Sequence, residues 1–317
     1  MSRADLELGI LLWSQSADWS SFHAAAKQVD ALGYDHLWTW DHLLPIFGEL
    51  EQPIFEGWTA LAALAAGTQH ARLGLLVAAN TFRNPTLLAK MAVTVDHISG
   101  GRAILGLGGA WFEAEHDAYG IDFAGGVGAR LDRLDEAAGL LRRLLAGERV
   151  DHAGVKYRSR GLKLDPPPVS TRLPLMIGGV GERKTLRTVA RYADMWNAFG
   201  DDAVLRHKAD VLRERCAEVG RDPAAIRFSV ACKPLIRDSR ADAGRALERI
   251  MAANRVTMAD VVDDRSFWVG EPEALAQRMI GLRAAGFDTF IGEMPAPYDP
   301  ETLERWISEV KPMVQAA

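Results

Sequence analysis

Short strand-like runs alternate with amphipathic stretches along the whole chain, and this alternation limits the fold more than any other feature. The helical segments, such as Ser20–Leu32 and Pro85–Ile98, have apolar residues at helical spacing. Eight strand-helix units in 317 residues favour a closed α/β barrel, the (β/α)8 TIM barrel, over an open doubly wound sheet. The predicted strands are Leu8–Trp13, Asp35–Trp40, Arg72–Ala79, Arg102–Leu107, Pro174–Ile177, Asp194–Ala198, Ile226–Ala231 and Phe287–Ile291.

Two segments do not follow the strand-helix repeat. Residues 150–168 contain VDHAGVKYR and then GLKLDPPPV, which predicts a short hairpin or excursion. Residues 255–268 precede the helix that leads to the eighth strand, and we interpret them as a flexible cover. Because no linker rich in Gly, Ser or Pro divides the chain, we expect a single domain over residues 1–317.

Charge and composition narrow the class of partner. A net charge of -5 with scattered basic residues argues against nucleic acid or an anionic membrane. We expect no signal peptide, since the first residues pass directly into a strand pattern, and no apolar run reaches the roughly 18 residues that span a bilayer. Cys216 and Cys232 have neither metal nor disulfide spacing. We therefore expect a cytoplasmic protein that acts on a small molecule.

The segment Pro174–Asn197, PLMIGGVGERKTLRTVARYADMWN, has the pattern of an anion cradle. A strand ends at Gly178, Gly179 and Gly181, and a helix follows at once, so free backbone N–H groups and the positive end of a helix would meet a phosphate. Arg183 and Lys184 lie close by in sequence. The segment matches neither a P-loop nor G-x-G-x-x-G, and the alternative is a plain strand-to-helix turn.

Asp41 and His42 follow the second strand, at the end of a barrel where chemistry takes place. An imidazole exchanges protons near neutral pH, and Asp41 would orient it or bond a cofactor ring. The alternative is that Asp41 caps the loop and His42 packs on a tryptophan.

The third and fourth strands end in small residues and then in aromatic ones. Ala79 and Asn80 leave room for a flat ring, or simply allow close packing of the strand. Gly108 and Gly109 permit close backbone approach, and Trp111 and Phe112 would wall a substrate pocket. We interpret Glu115 and His116, which come next, as part of a solvated face. The sequence has no metal-ligand motif and no G-x-S-x-G elbow, which favours a cofactor enzyme over a hydrolase.

Four segments together resemble the bacterial luciferase-like family, within it the branch that uses the deazaflavin coenzyme F420. The resemblance covers nearly the whole chain. It rests on GYDHLWTWDHLL from Gly33, RLGLLVAANTFRNPTLLAKMAVTVDHISGGRAILGLGGAWFEAEH from Arg72, the segment from Pro174 to Asn197, and PAPYD from Pro295.

The resemblance implies where the coenzyme lies. Its ring would cross the barrel mouth against Asp41, His42 and a bulged third strand, with a cis peptide joining Leu76 and Val77. Its phosphate would bind the amides of Gly178, Gly179, Val180 and Gly181. The residues implied beside the ring or tail are Leu76, Val77, Ala79, Asn80, Gly108 and Gly109. Apart from the resemblance, we expect the aromatic wall of the substrate pocket to be Trp13, Trp40, Trp111 and Phe112.

The activity that the resemblance implies is hydride transfer. Relatives that oxidise sugar phosphates carry a glutamate where this chain has Trp111, so we expect a hydrophobic or aromatic substrate, with His42 as the proton partner. The main alternative is an FMN-dependent monooxygenase that activates oxygen, and a further one is a non-catalytic flavin or deazaflavin carrier. Surplus apolar residues on the helix after the third strand predict a homodimer; they are Leu87, Leu88, Met91, Val95 and Ile98.

Overall fold

A computed structural model describes residues 5–170, 172–261 and 263–317. The strands are β1 (Glu7–Leu12), β2 (His36–Thr39), β3 (Arg72–Leu75), β4 (Ala78–Ala79), β5 (Ala103–Gly108), β6 (Val150–Ala153), β7 (Arg158–Leu162), β8 (Leu175–Gly178), β9 (Met195–Ala198), β10 (Arg227–Ile236), β11 (Phe267–Gly270) and β12 (Phe287–Met294).

The α-helices alternate with these strands. They are α1 (Trp19–Ala31), α2 (Gly57–Gly67), α3 (Pro85–Ser99), α4 (Glu113–Tyr119), α5 (Val127–Leu145), α6 (Thr185–Tyr192), α7 (Asp202–Glu218), α8 (Arg240–Ala253), α9 (Met258–Val261), α10 (Pro272–Arg283), α11 (Pro300–Arg305) and α12 (Lys311–Gln315). A 3₁₀ turn at Pro223–Ala225 and a π-helical turn at Trp306–Val310 complete the elements. None of the helices in the described ranges has both the length and the apolar character that crossing a bilayer requires.

The strands form a closed parallel barrel. Its order is β1, β2, β3 with β4, β5, β8, β9, β10 and β12, and β12 pairs with β1 to close it. The predicted (β/α)8 barrel is therefore confirmed. Strand β11 lies outside this circle, where it extends the sheet from β10.

Three strands differ from their predicted bounds by more than one residue at an end. The predicted third strand is two short pieces, β3 and β4, because residues 76 and 77 leave the sheet between them. The seventh and eighth barrel strands, β10 and β12, run further toward the mouth than the pattern indicated. Their extra residues include Lys233 and Glu293, which consequently lie at the functional end of the barrel.

The barrel interior is filled by large side chains rather than left as a channel. Trp38 is fully buried there, and it occupies space that two glycines leave open. A Cβ on Gly74 would lie 2.8 Å from the Trp38 ring, and one on Gly9 would lie 3.1 Å from its Nε1. The remaining members of this interior cluster are Leu11, Trp13, Trp40, Ile104, Met176, Met195 and Ile291.

The predicted hairpin is present. Strands β6 and β7 pair antiparallel, and Glu136 of α5 holds the pair against the barrel. Its carboxylate accepts the backbone N–H groups of Lys156 at 3.0 Å and Tyr157 at 2.9 Å, and it lies 3.0 Å from Nε2 of His152. The predicted cover contains the short helix α9, and its residues 264–266 lie over the barrel mouth.

Candidate active site

A cavity of 560 Å³ lies at the carboxyl ends of the barrel strands. Most of the residues that the sequence indicated lie in its wall, and these are Trp40, Asp41, His42, Leu76, Val77, Ala79, Gly108, Gly109, Trp111, Gly178 and Gly179. Further wall residues were not predicted, chief among them Phe47, Glu115, Thr185, Phe199, Lys233 and Glu293. Depth, apolar walls and a few polar groups are typical of a small-molecule site.

Three predicted residues lie behind the wall instead. Trp13 is fully buried, because its ring stacks on that of Phe47 with centroids 4.5 Å apart. Asn80 is buried as well, and its Nδ2 donates to the hydroxyl of Tyr157 at 3.1 Å. Phe112 stacks on Trp111 with centroids 5.3 Å apart. These side chains support the site through packing and do not line it.

His42 is held by a carboxylate from a distant part of the chain. Nδ1 of His42 lies 3.0 Å from Oε1 of Glu115, the second oxygen of which accepts the N–H of Leu43 at 2.8 Å. The expectation of a solvated Glu115 was wrong, since only 1% of the residue is exposed. An ionised carboxylate only accepts hydrogen bonds, so Nδ1 carries the hydrogen. Nε2 is thereby left to take or give a proton.

His116 is also buried, contrary to expectation. Its Nδ1 donates to the carbonyl of Phe112 at 2.8 Å, and its Nε2 lies 2.7 Å from the hydroxyl of Thr81. Because both ring nitrogens are satisfied within the chain, His116 fixes the start of α4 beside the β4 exit. It thus helps to place Glu115, its neighbour on the same helix.

Asp41 does not orient His42. Its carboxylate pairs with Nη1 of Arg83 at 2.7 Å and accepts the N–H of Ala79 at 3.0 Å. The second arm of Arg83 reaches Glu56 at 2.6 Å. Burial raises the pKa of Asp41, although the guanidinium of Arg83 and the amide of Ala79 act in the opposite direction. The pair ties the end of β2 to β4 and so fixes one side of the mouth.

The bulge between β3 and β4 shapes the mouth. The peptide bond between Leu76 and Val77 is cis, as the resemblance implied. The Val77 side chain lies over two glycines of neighbouring strands, and a Cβ on Gly108 or Gly178 would lie 2.6 or 3.0 Å from its Cγ2. Gly109 similarly makes room for Leu131, whose Cδ2 would be 2.9 Å away. The glycines at these strand ends therefore have a packing reason within the chain.

The glycine turn after β8 leaves a run of backbone amides open. Gly179 is not among them, because its N–H donates to the carbonyl of Asn197 at 3.0 Å. In the described part of the chain no group accepts the N–H groups of residues 180–185. Val180 and Gly181 are among these open amides, although they do not line the cavity. Thr185, buried at the start of α6, adds a hydroxyl.

The charges beside this turn are partly neutralised. Nζ of Lys184 binds Asp132 at 2.7 Å, so it is not directed at the turn as the sequence suggested. Glu182 pairs with Lys208 at 2.6 Å and with His207 at 2.9 Å. An anion at the open amides would therefore meet no unpaired carboxylate from Glu182, and these residues fit a phosphate group.

A second set of polar groups lies on the β10 side of the cavity. Nζ of Lys233 binds Asp264 at 3.0 Å and Ser266 at 2.7 Å, which joins β10 to the cover. Burial raises the pKa of Asp264, but the ammonium of Lys233 and the bonds from Ser266 outweigh it and hold that pKa below its ordinary value. Within the described ranges no three His, Cys, Asp or Glu side chains converge as metal ligands would.

The closed barrel, the cavity at its mouth, the open amides and the His42–Glu115 pair together fit an α/β-barrel enzyme with a small-molecule site at its mouth. The family model of the luciferase-like monooxygenases matches residues 7–289. The chain belongs to this family, and the resemblance in its sequence is confirmed.

Solved structures have the same fold. The coenzyme F420 dependent tetrahydromethanopterin reductase of Methanopyrus kandleri is 18% identical over 98% of this chain and 99% of that one, with a TM-score of 0.80. An F420-dependent secondary alcohol dehydrogenase, solved with an F420-acetone adduct, is 18% identical over 98% and 99%, with a TM-score of 0.83. The oxygenating constituent of 3,6-diketocamphane monooxygenase from Pseudomonas putida, in complex with FMN, is 18% identical over 98% and 99%, with a TM-score of 0.74.

Proposed function

We propose that this chain is an F420-dependent oxidoreductase that transfers a hydride between the deazaflavin and a small hydrophobic or aromatic molecule. The observation that carries the proposal is the free Nε2 of His42 in the cavity wall, fixed through Nδ1 by Glu115. Hydride transfer to or from a carbonyl or imine needs a partner for one proton, and a positioned imidazole supplies it.

The chain's own residues divide the work in this proposal. The open amides of residues 180–185 and the hydroxyl of Thr185 hold the phosphate, and the bulge at Leu76 and Val77 supports the ring. When bound, the coenzyme supplies or accepts the hydride. In the oxidative direction Nε2 of His42 takes the substrate proton. In the reductive direction the protonated imidazole of His42 returns that proton to the substrate. Trp40 and Trp111 cover the substrate and exclude water.

An FMN-dependent monooxygenase is the alternative, because the barrel and the phosphate cradle suit either coenzyme. The test is a titration of the purified chain with F420 and, separately, with FMN in the same buffer. We expect F420 to bind at least about tenfold tighter, a difference of about 1.4 kcal/mol. Tighter binding of FMN, together with oxygen uptake by the reduced complex, would assign the chain to the monooxygenases.

One variant distinguishes the proposed enzyme from a non-catalytic flavin or deazaflavin carrier. His42→Ala removes the proton partner and leaves the cradle intact, so we expect it to bind F420 as the wild type does and to lose turnover by about 10²-fold or more. Unchanged hydride transfer in this variant would remove His42 from the mechanism.

A further inference from the structure

We propose that Glu293 forms a cation-binding subsite in the cavity, and that the substrate is a hydrophobic or aromatic molecule with a protonated nitrogen, as in an ammonium or iminium group. This inference rests on the proposed function only in assuming that the substrate binds in the cavity beside Glu293.

Glu293 is a carboxylate without a partner. It lies near the end of β12, is half-buried and lines the cavity. Among the residues that the structure describes, none donates a hydrogen bond to its side chain or pairs with it. A carboxylate in a partly apolar cavity is normally hydrogen-bonded or ion-paired. An unpaired carboxylate at this position is consistent with a group whose hydrogen-bond or ion-pair partner is supplied by the ligand.

The lysine on the neighbouring strand is already paired with other groups. Cys232 of β10 pairs in register with Gly292 of β12, so Lys233 lies next to Glu293 on the neighbouring strand. Nζ of Lys233 nevertheless binds Asp264 and Ser266. Since Lys233 and Asp264 neutralise each other, the carboxylate of Glu293 leaves the part of the cavity wall formed by β10 and β12 negative.

The other charged groups of the wall do not compensate for Glu293. Asp41 is paired with Arg83, and Glu115 with His42. Arg265 also lines the cavity, but it is exposed at the rim, where solvent and salt screen its charge. A cation on the ligand would therefore be attracted into the cavity, and an anion would be repelled by Glu293.

An aromatic ring of the cavity wall suits a cation as well. The ring centroid of Phe47, which lines the cavity, lies 5.6 Å from the ammonium of Lys233. Ring faces attract cations at such distances. Trp40 and Phe199 complete an apolar wall for the body of the ligand. Carboxylate and aromatic walls together recognise an amine or iminium in preference to an alcohol or acid of the same shape.

The test compares three probes of one shape and different charge: benzylamine, benzyl alcohol and benzoate. Each is titrated into the full chain at pH 7 and low salt, and binding is measured by calorimetry. We expect benzylamine to bind about tenfold tighter than benzyl alcohol, as a charge-assisted hydrogen bond would give, and benzoate to bind most weakly. Equal binding of all three, or preference for benzoate, would overturn the proposal, the latter in favour of an anion site at Lys233 and Arg265.

A matched pair of variants assigns the preference to one residue. Glu293→Gln should abolish the preference for benzylamine, whereas Glu248→Gln, which removes the same charge from an exposed position on α8, should keep it. Persistence of the preference in Glu293→Gln would exclude the subsite. If that variant does not fold, the probe ranking on the wild type still decides. F420 is titrated into the wild type and both variants in a separate experiment. Weak F420 binding by the wild type would refute the proposed function, but it would not change the result with the three probes.

Discussion

Oε1 of Glu115 lies 3.0 Å from Nδ1 of His42, although the two residues are 73 positions apart. The same carboxylate accepts the N–H of Leu43, so its orientation is set by the backbone beside His42. A carboxylate at this position favours the tautomer with the hydrogen on Nδ1, and His42 itself lies in the cavity wall.

Glu115→Gln tests that relationship. The amide oxygen would keep the bond from Leu43, so the amide NH₂ would face Nδ1 of His42 and the ring hydrogen would move to Nε2. We expect turnover to fall by about 10²-fold to 10³-fold while F420 affinity changes little. Steady-state kinetics and coenzyme titration measure the two effects. Glu113→Gln, an exposed change on the same helix, is the control, and equal activity of the two variants would contradict the role of Glu115.

Gly108→Ala should damage the bulge. The added Cβ would lie 2.6 Å from Cγ2 of Val77, so Val77 has to move, at a cost of about 1–3 kcal/mol in the free energy of unfolding. We expect weaker coenzyme binding and a lower midpoint in urea. The double variant Gly108→Ala with Val77→Ala should recover part of both losses. Gly244→Ala, at a helical position with open space around it, is the control. A Gly108→Ala protein with unchanged stability and affinity would count against this account of the mouth.

Glu136 should make the hairpin pH-sensitive. Burial raises its pKa, but bonds from His152 and from the amides of Tyr157 and Lys156 outweigh it and hold the pKa below its ordinary value of 4.5. A lowered pKa in the folded state gives stability that is present above 4.5 and is lost as the pH falls through the folded value.

The corresponding variant is Glu136→Gln. It should lower the free energy of unfolding at pH 7 by about 1 kcal/mol, and its difference from the wild type should shrink below pH 4.5. Urea unfolding at several pH values measures this, with the exposed Glu304→Gln as control. A difference that stays constant down to acid pH would show that the charge of Glu136 is not involved.

We predict that the chain forms a homodimer through α3. Leu88 and Val95 of this helix are buried in the core, but Leu87 is 53% exposed and Ile98 is 44% exposed, and with Met91 they lie on one face. Light scattering at micromolar concentration should give twice the mass of 34.7 kDa. Leu87→Glu should shift it toward the monomer. Val155→Glu, an equally drastic change at the exposed hairpin tip, should not, and a monomeric wild type would end the proposal.

The barrel was predictable because its signal repeats along the chain, with each strand and helix marked by its own periodicity. The cis bond at Leu76 was predictable only through the family resemblance. Glu115 was missed because α4 is short and carries four acidic or basic side chains in Glu113–Asp117, so its pattern does not show which face turns inward. That depends on contacts with Leu43 and His42, which a local pattern does not contain.

Lys233 and Glu293 were missed for a different reason. The predicted strands ended at Ala231 and Ile291, two residues before Lys233 and Glu293 respectively, because a charged residue usually ends an apolar strand pattern. In a barrel the same residue also marks the point where the strand meets the cavity. Polar residues one or two positions past an apolar run were therefore the available signal.

The polar groups of the cavity come from different portions of the chain. The bulge, the glycine turn and the His42–Glu115 pair all precede residue 186, whereas Lys233, the cover and Glu293 all follow residue 226. A recombination event after residue 226 would thus replace Lys233, the cover and Glu293 together and leave the glycine turn and the His42–Glu115 pair as they were. The same boundary is a natural crossover point for building chimaeras between relatives.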